Sequence, residues 1–184
     1  MADDGEAALR WERLGGEVVF ECPGFAVRRD DVRLPDGAEA AYHHVVEPPA
    51  VVVLPFTPDG DVVTVAEWRQ AVGRVNRGLP AGSMEGEETV EAAARRELRE
   101  ETGHETESVR VVGSYEPTNG VSDSVHHHVV ARGCTPTAEQ DLDHNESIRV
   151  ETRDYDDLLA AAVDGDLRDG RAVTALLRHE LTGR

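Results

Sequence analysis

Glu97, Glu100 and Glu101 lie close enough along the chain to share a single cation. On a helix, Glu97 and Glu101 stand at i and i+4, so their side chains rise from one face with Cβ atoms roughly 5–6 Å apart. Like charges at that spacing destabilise a bare helix by about 0.2–0.5 kcal/mol. A divalent cation turns the repulsion into ligation, and Mg²⁺ prefers carboxylate and phosphate oxygens. The competing reading is a solvated acidic face, common in a chain this acidic. A glutamate pair alone does not separate the two.

The element that must position these acids is a helix over residues 89–102, a run of good helix formers with Gly103 as the stop. Val90, Ala94 and Leu98 recur at i, i+4 and i+8. That apolar stripe commits one side of the helix to a sheet. The rest of the chain reads as strands before the helix, then strands and C-terminal helices, an α+β order. Strands are predicted over 17–21, 25–29, 31–34 and 40–46, with turns at Pro23-Gly24 and Pro35-Asp36-Gly37. Residues 50–56 form an apolar run typical of a buried central strand, paired with 62–68 through the turn at 58–61. Later strands are expected over 109–115, 125–131 and 148–152, and helices over 154–163 and 171–181.

The wider spacing is more specific than the acids. Five residues separate Gly82 from Glu88, and seven more separate Glu88 from Arg96-Glu97-Leu98-Arg99-Glu100-Glu101-Thr102-Gly103. In this arrangement LPAGSMEGEETVEAAARRELREETGH resembles the Nudix box at every charged and glycine position. Seven fixed residues would coincide by chance about once in 10⁷ starting points. The departure is His104, where the family carries an aliphatic residue. The resemblance implies a metal-dependent hydrolase of pyrophosphate bonds using Mg²⁺, or Mn²⁺ in its place. Glu97 and Glu101 would be the principal metal ligands with the Ala81 carbonyl, Glu100 a further ligand or acceptor, Arg96 the residue that orients carboxylates, and Glu88 a brace for the loop.

The flanks resemble ADP-ribose pyrophosphatases, from AEWRQAVGRVNRGLPAG to HNESIRVETRDYDDLL. That similarity implies a nucleoside diphosphate sugar as substrate, ADP-ribose first, giving AMP and ribose 5-phosphate. It also implies a homodimer built through the N-terminal strands. Arg69 stands where the family holds substrate, with Arg74 and Arg77 as alternatives. HNESIRV resembles the acidic loop that brings a general base and a further metal ligand, which makes Glu146 the candidate for both. His144 is the alternative base, since imidazole titrates near neutrality. YEPTNGVSDS resembles the loop after the box but carries Asn119 in place of a proline that marks the subfamily. Another Nudix specificity, or a non-catalytic nucleotide-binding module, is the competing function.

Composition narrows the remainder. At 184 residues and 39% hydrophobic the chain has enough apolar material for one core. Its 37 acidic and 19 basic residues give a net charge of -18, and every basic residue is Arg. Such a surface repels nucleic acid and anionic membranes. It fits a soluble acidic protein or a halophile, and a haloarchaeal source is the reading favoured here, because high salt screens the self-repulsion. Cys22 and Cys134 are isolated thiols. His126 and His128 share a strand side, but lack the further ligands of a zinc site. An acidic N-terminus and the lack of a long apolar run point to the cytoplasm. The expected fold is the α+β Nudix α/β/α sandwich with a mixed sheet over 49–184, preceded by a β appendage over 1–48.

Overall fold

The computed structural model describes residues 4–182, so the first three residues of the acidic N-terminal run lie outside it. The chain forms two compact units, residues 1–48 with 118–124 and residues 49–117 with 125–184.

In the first unit a short helix α1 (Asp4–Ala7) precedes β1 (Glu12–Cys22), β2 (Phe25–Arg33) and β3 (Glu39–Val46). They form an antiparallel sheet in the order β1-β2-β3. β2 is one continuous strand, not two. The expected strands 25–29 and 31–34 leave Asp30 between them, yet Asp30 and Asp31 both stay in the ladder opposite Tyr42 and Ala41. Their charges are met on the strand surfaces: Asp30 accepts from Arg13 and Arg28, and Asp31 from Arg29. The segment Thr118–Ser124 joins this unit. Val45 N–H donates to the Val121 carbonyl, Asp123 N–H to the Val45 carbonyl, and the Ser122 hydroxyl to Glu47.

The second unit contains β4 (Ala50–Phe56), β5 (Val62–Arg69), β6 (Arg74–Gly78), β7 (Ala81–Ser83), α2 (Val90–Thr102), β8 (His104–Glu105), β9 (Ser108–Tyr115), β10 (His126–Arg132), β11 (Thr135–Pro136), β12 (Ile148–Arg153), α3 (Tyr155–Asp164) and α4 (Gly170–Leu181). The main sheet runs β12-β5-β4-β10-β9 and is mixed, since β4 and β10 are parallel while the other neighbours are antiparallel. Its two faces alternate along β4. Val53 packs with Ala94 and Leu98 of α2 and with Val129, Ala131 and Cys134. Val52, Leu54 and Phe56 pack with Leu158, Ala175 and Leu176 from α3 and α4. Helices therefore cover both faces, and the expected α/β/α sandwich with a mixed sheet is what the chain builds.

The hairpin expected between 50–56 and 62–68 closes at one residue pair only, Phe56 with Val62. Beyond it the strands splay. β6 pairs with β5, while Val53 N–H bonds the Pro80 carbonyl and β7 lies along β4, with Val52 opposite Ala81. Neither inserted strand was read from sequence, because RVNRG and AGS carry no apolar period. Among the described residues, no helix is long and apolar enough to cross a membrane.

Candidate active site

The helix α2 starts and stops where its chemistry dictates. The Thr89 hydroxyl caps the first turn by accepting from Ala92 N–H at 3.2 Å, and Gly103 ends it in the left-handed region at φ 69°. Ala94 and Leu98 are wholly buried, and Val90 packs against the same cluster. This fixes the rotation of the helix. Glu97 and Glu101 consequently turn towards β7 and are themselves buried, at 8% and 3% exposure. His104 is also buried, its ring held by the Thr102 carbonyl and hydroxyl at 2.9 and 3.1 Å.

The splayed hairpin delivers the opposite wall. Ala81 N–H donates to the Glu101 carboxylate at 3.0 Å. Gly82 abuts Glu97 so closely that a Cβ there would lie 2.2 Å from the carboxylate. Arg96 ties the rest together. Its guanidinium meets Glu88 at 2.7 Å, Glu97 at 2.8 Å, Glu100 at 3.1 Å and the Ser83 carbonyl at 2.9 Å. Glu88 also accepts from Glu85 N–H at 2.7 Å, so the loop and the helix share one brace.

The electrostatics follow from burial with too little compensation. Burial pushes the Glu97 carboxyl up to about 7, with Glu100 and Glu146 adding to the rise against the pull of Arg96. Burial drives Glu101 to about 8, opposed by the Ala81 N–H and reinforced by Glu97, Glu146 and Glu67. Glu88 moves the other way, because its bonds to Arg96 favour the ionised form. Among the described residues, no three His, Cys, Asp or Glu side chains already converge as a metal cage. Arg96 stands between Glu97 and Glu100, and Glu101 accepts from a backbone N–H.

The donor set nevertheless fits a hard divalent cation. Three carboxylates, those of Glu88, Glu97 and Glu100, meet one guanidinium, and Glu101 lies within electrostatic reach of Glu97. The two most buried oppose a loop backbone that has no side chain to block them. Oxygen donors in excess of positive charge are what Mg²⁺ and Mn²⁺ seek.

Glu146 lies within electrostatic reach of Glu97 and Glu101, although its carboxylate folds back to accept from Asp143 N–H at 3.1 Å. His144 is exposed on the same turn. Two contacts not read from sequence lead this loop to the helix: the Gln140 amide donates to the Glu101 carbonyl at 2.6 Å, and Asp141 N–H to the Glu100 carbonyl. Arg69 ion-pairs with Glu67 at 2.7 Å, and Arg74 stands opposite Arg69 in the ladder. Arg77 bonds Glu151 instead. The His126-His127-His128 run serves the sheet, with His127 bonded to Ser114 and His128 buried edge-on to Tyr115.

Comparison with known proteins agrees with this fold. The NUDIX domain family matches residues 46–175, and the nucleoside diphosphate sugar hydrolase N-terminal domain family matches residues 11–45. The chain belongs to the NUDIX family and is a Nudix pyrophosphohydrolase. It is 27% identical to the ADP-ribose pyrophosphatase of Bacillus subtilis (strain 168), covering 92% of both chains. It is 29% identical to the methanol dehydrogenase activator of Bacillus methanolicus, covering 87% of each. Among solved structures, one described as the crystal structure of an ADP compounds hydrolase shares the fold, with a TM-score of 0.81, 23% identity and 92% of each chain covered.

Proposed function

We propose that this enzyme hydrolyses the diphosphate bond of a nucleoside diphosphate sugar, ADP-ribose foremost, yielding AMP and ribose 5-phosphate. The observation that carries the proposal is the under-compensated acid cluster, with Glu97 and Glu101 buried against the Ala81-Gly82 backbone. The choice of ADP-ribose draws on relatives named for that activity and on the family match over residues 11–45. In this reading Glu97, Glu101 and the Ala81 carbonyl hold Mg²⁺ or Mn²⁺, with Glu100 and Glu146 as further oxygen donors. Such a cation would supply Lewis-acid polarisation of the diphosphate.

The chain's own groups do the rest. Arg96 keeps the Glu97 and Glu100 oxygens turned inward, and Glu88 anchors Arg96. Arg69 binds non-bridging diphosphate oxygens through its fork of donors. Glu146 takes the proton as the water oxygen bonds to phosphorus and the P-O-P link breaks. A different nucleotide sugar or a dinucleoside polyphosphate is the second reading, and Asn119 in the loop Thr118–Ser124 favours keeping it. Steady-state kcat/KM for ADP-ribose, GDP-mannose, UDP-glucose and diadenosine polyphosphates, each with Mg²⁺ and Mn²⁺, tests the assignment. ADP-ribose should lead; another substrate preferred by about tenfold or more replaces it.

The partner reading is a homodimer formed through residues 1–48. β1 is an edge strand, and Val18, Val19, Phe20 and Phe25 are all more than 40% exposed. Apolar side chains on an unpaired edge invite a second strand. Light scattering on the purified protein distinguishes a monomer from a dimer. The charge of -18 without lysine further supports a salt-adapted cytoplasmic protein of haloarchaeal type.

A further inference from the structure

Glu67 was not among the residues singled out by sequence, since all of Val62–Glu67 is buried and alternation along the strand is hidden. Yet Glu67 and Arg69 stand two apart on β5, which directs their side chains to the same face. The Arg69 guanidinium reaches the Glu67 carboxylate at 2.7 Å through one of its Nη atoms. Glu67 is only 8% exposed.

What surrounds Glu67 is a built wall. Asn76 faces it across the β5-β6 ladder, and Gly78 faces Val65. Gly78 has no Cβ for a steric reason, because the Asp169 carboxylate would lie 2.7 Å from it. Asp169 is fixed three times over. It caps α4 by accepting from Arg171 N–H at 2.9 Å and Ala172 N–H at 3.3 Å, and it pairs with the Arg171 guanidinium at 2.9 Å. Glu67, Arg69, Asn76, Asp169 and Arg171 line one crevice of only about 10 Å³. That is about the minimum that one water needs. Two carboxylates and two guanidiniums balance there, unlike the acid cluster on α2.

We infer that Glu67 is a positioning residue, set beside the Asp169-Arg171 pair, that fixes the Arg69 guanidinium for the substrate diphosphate. The inference rests on the reading of Arg69 as a diphosphate-binding residue. A guanidinium has five donors, so a carboxylate on one Nη leaves the others for phosphate oxygens. Without that anchor Arg69 would sample many rotamers at the strand end and lose order with every substrate bound. Glu67 therefore acts on binding and not on the bond-breaking step. Burial pushes its own carboxyl up, and the opposing influences are first Arg69 and then Arg171, in keeping with the same wall.

Kinetics of Glu67→Gln, Arg69→Gln and the double variant on ADP-ribose at saturating Mg²⁺ test it, with thermal melts alongside. Glu67→Gln should raise KM about tenfold with kcat within about twofold of wild type, the signature of lost binding common to ground and transition states. The double variant should match Arg69→Gln alone, because Glu67 works only through Arg69. Multiplying effects, an unchanged KM in Glu67→Gln, or a fall in kcat in its place would overturn the inference while leaving the Arg69 reading intact. An unchanged KM in Arg69→Gln would instead remove the reading of Arg69 as a substrate residue, and the inference with it.

Discussion

The N-terminal sheet and the face of α2 are both dense in arginine-carboxylate contacts, yet they do opposite things with charge. On the sheet, Arg13 and Arg28 meet Asp30, Arg29 meets Glu17 and Asp31, and Arg33 meets Glu12 and Glu39. Cations and acids there are nearly matched, and most remain in contact with water, so such pairs contribute about 0–1 kcal/mol each. On α2, one arginine serves Glu88, Glu97 and Glu100, while Glu101 has no cation within bonding distance. Burial with unmatched charge sets the candidate site apart; the mere number of acids does not.

The largest test of that contrast is turnover. Glu97→Gln or Glu101→Gln should lower kcat by at least about 100-fold, the scale of a lost charge-stabilising group. Glu17→Gln on the sheet should leave kcat unchanged and shift stability by less than about 0.5 kcal/mol. Near wild-type turnover in either α2 variant at saturating Mg²⁺ would falsify the metal assignment.

The next effect separates the two candidate bases. Glu146→Gln should lower kcat by at least about tenfold at every pH tested, whereas His144→Ala should change it less than about threefold. Rates measured from pH 5 to 9 decide. A larger loss of turnover in His144→Ala than in Glu146→Gln would reverse the roles.

A smaller effect concerns stability in the absence of metal. Glu97 and Glu101 have folded-state values of about 7 and about 8, above the 4.5 of a free glutamate. The unfolded chain gives up these protons first, so their stabilising contribution is complete below about pH 4.5 and is lost as pH rises through 7 to 8. His128 works at the other end. Burial holds it down at about 4 against an ordinary 6.5, so the stability it contributes is lost as pH falls from 6.5 towards 4. Two glutamates outweigh one histidine between pH 4.5 and 6.5, so melting temperatures in chelator should fall towards the alkaline side as pH rises from about 5 to 8. Glu101→Gln should flatten the alkaline side, and a slope unchanged by that substitution would count against the buried-acid account.

Salt should produce the gentlest change. A charge of -18 implies melting temperatures that rise from low to multimolar KCl as self-repulsion is screened. A flat or falling curve would remove the salt-adapted reading.

Local signals made α2 legible: its apolar period, the Gly103 stop and the spacing of its acids all point one way, while the Thr89 cap emerged only in the structure. The central strand 50–56 was legible for a similar reason, an apolar run too buried for any other place. β6 and β7 were not, because their strand character comes from edges offered by β5 and β4 and not from their own residues. The gap expected at Asp30 is absent because Asp30 stays in the ladder, its charge met by Arg13 of β1 and Arg28 of its own strand. Glu67 and the Asp169-Arg171 wall were hidden for a different reason. Their meaning depends on side chains from β5, β6 and α4 that lie about a hundred residues apart in sequence and meet only after folding.

Gly82 offers a way to silence the enzyme without touching its charge. A single methyl at that position would claim the space now held by the Glu97 carboxylate and force it aside. Gly82→Ala would thus be an internal plug one carbon in size, retaining every acid and every arginine. Because the surface charge that steers partners and salt response is untouched, such a protein would serve as an inert twin for trapping substrate, with the wild-type enzyme as its only necessary control.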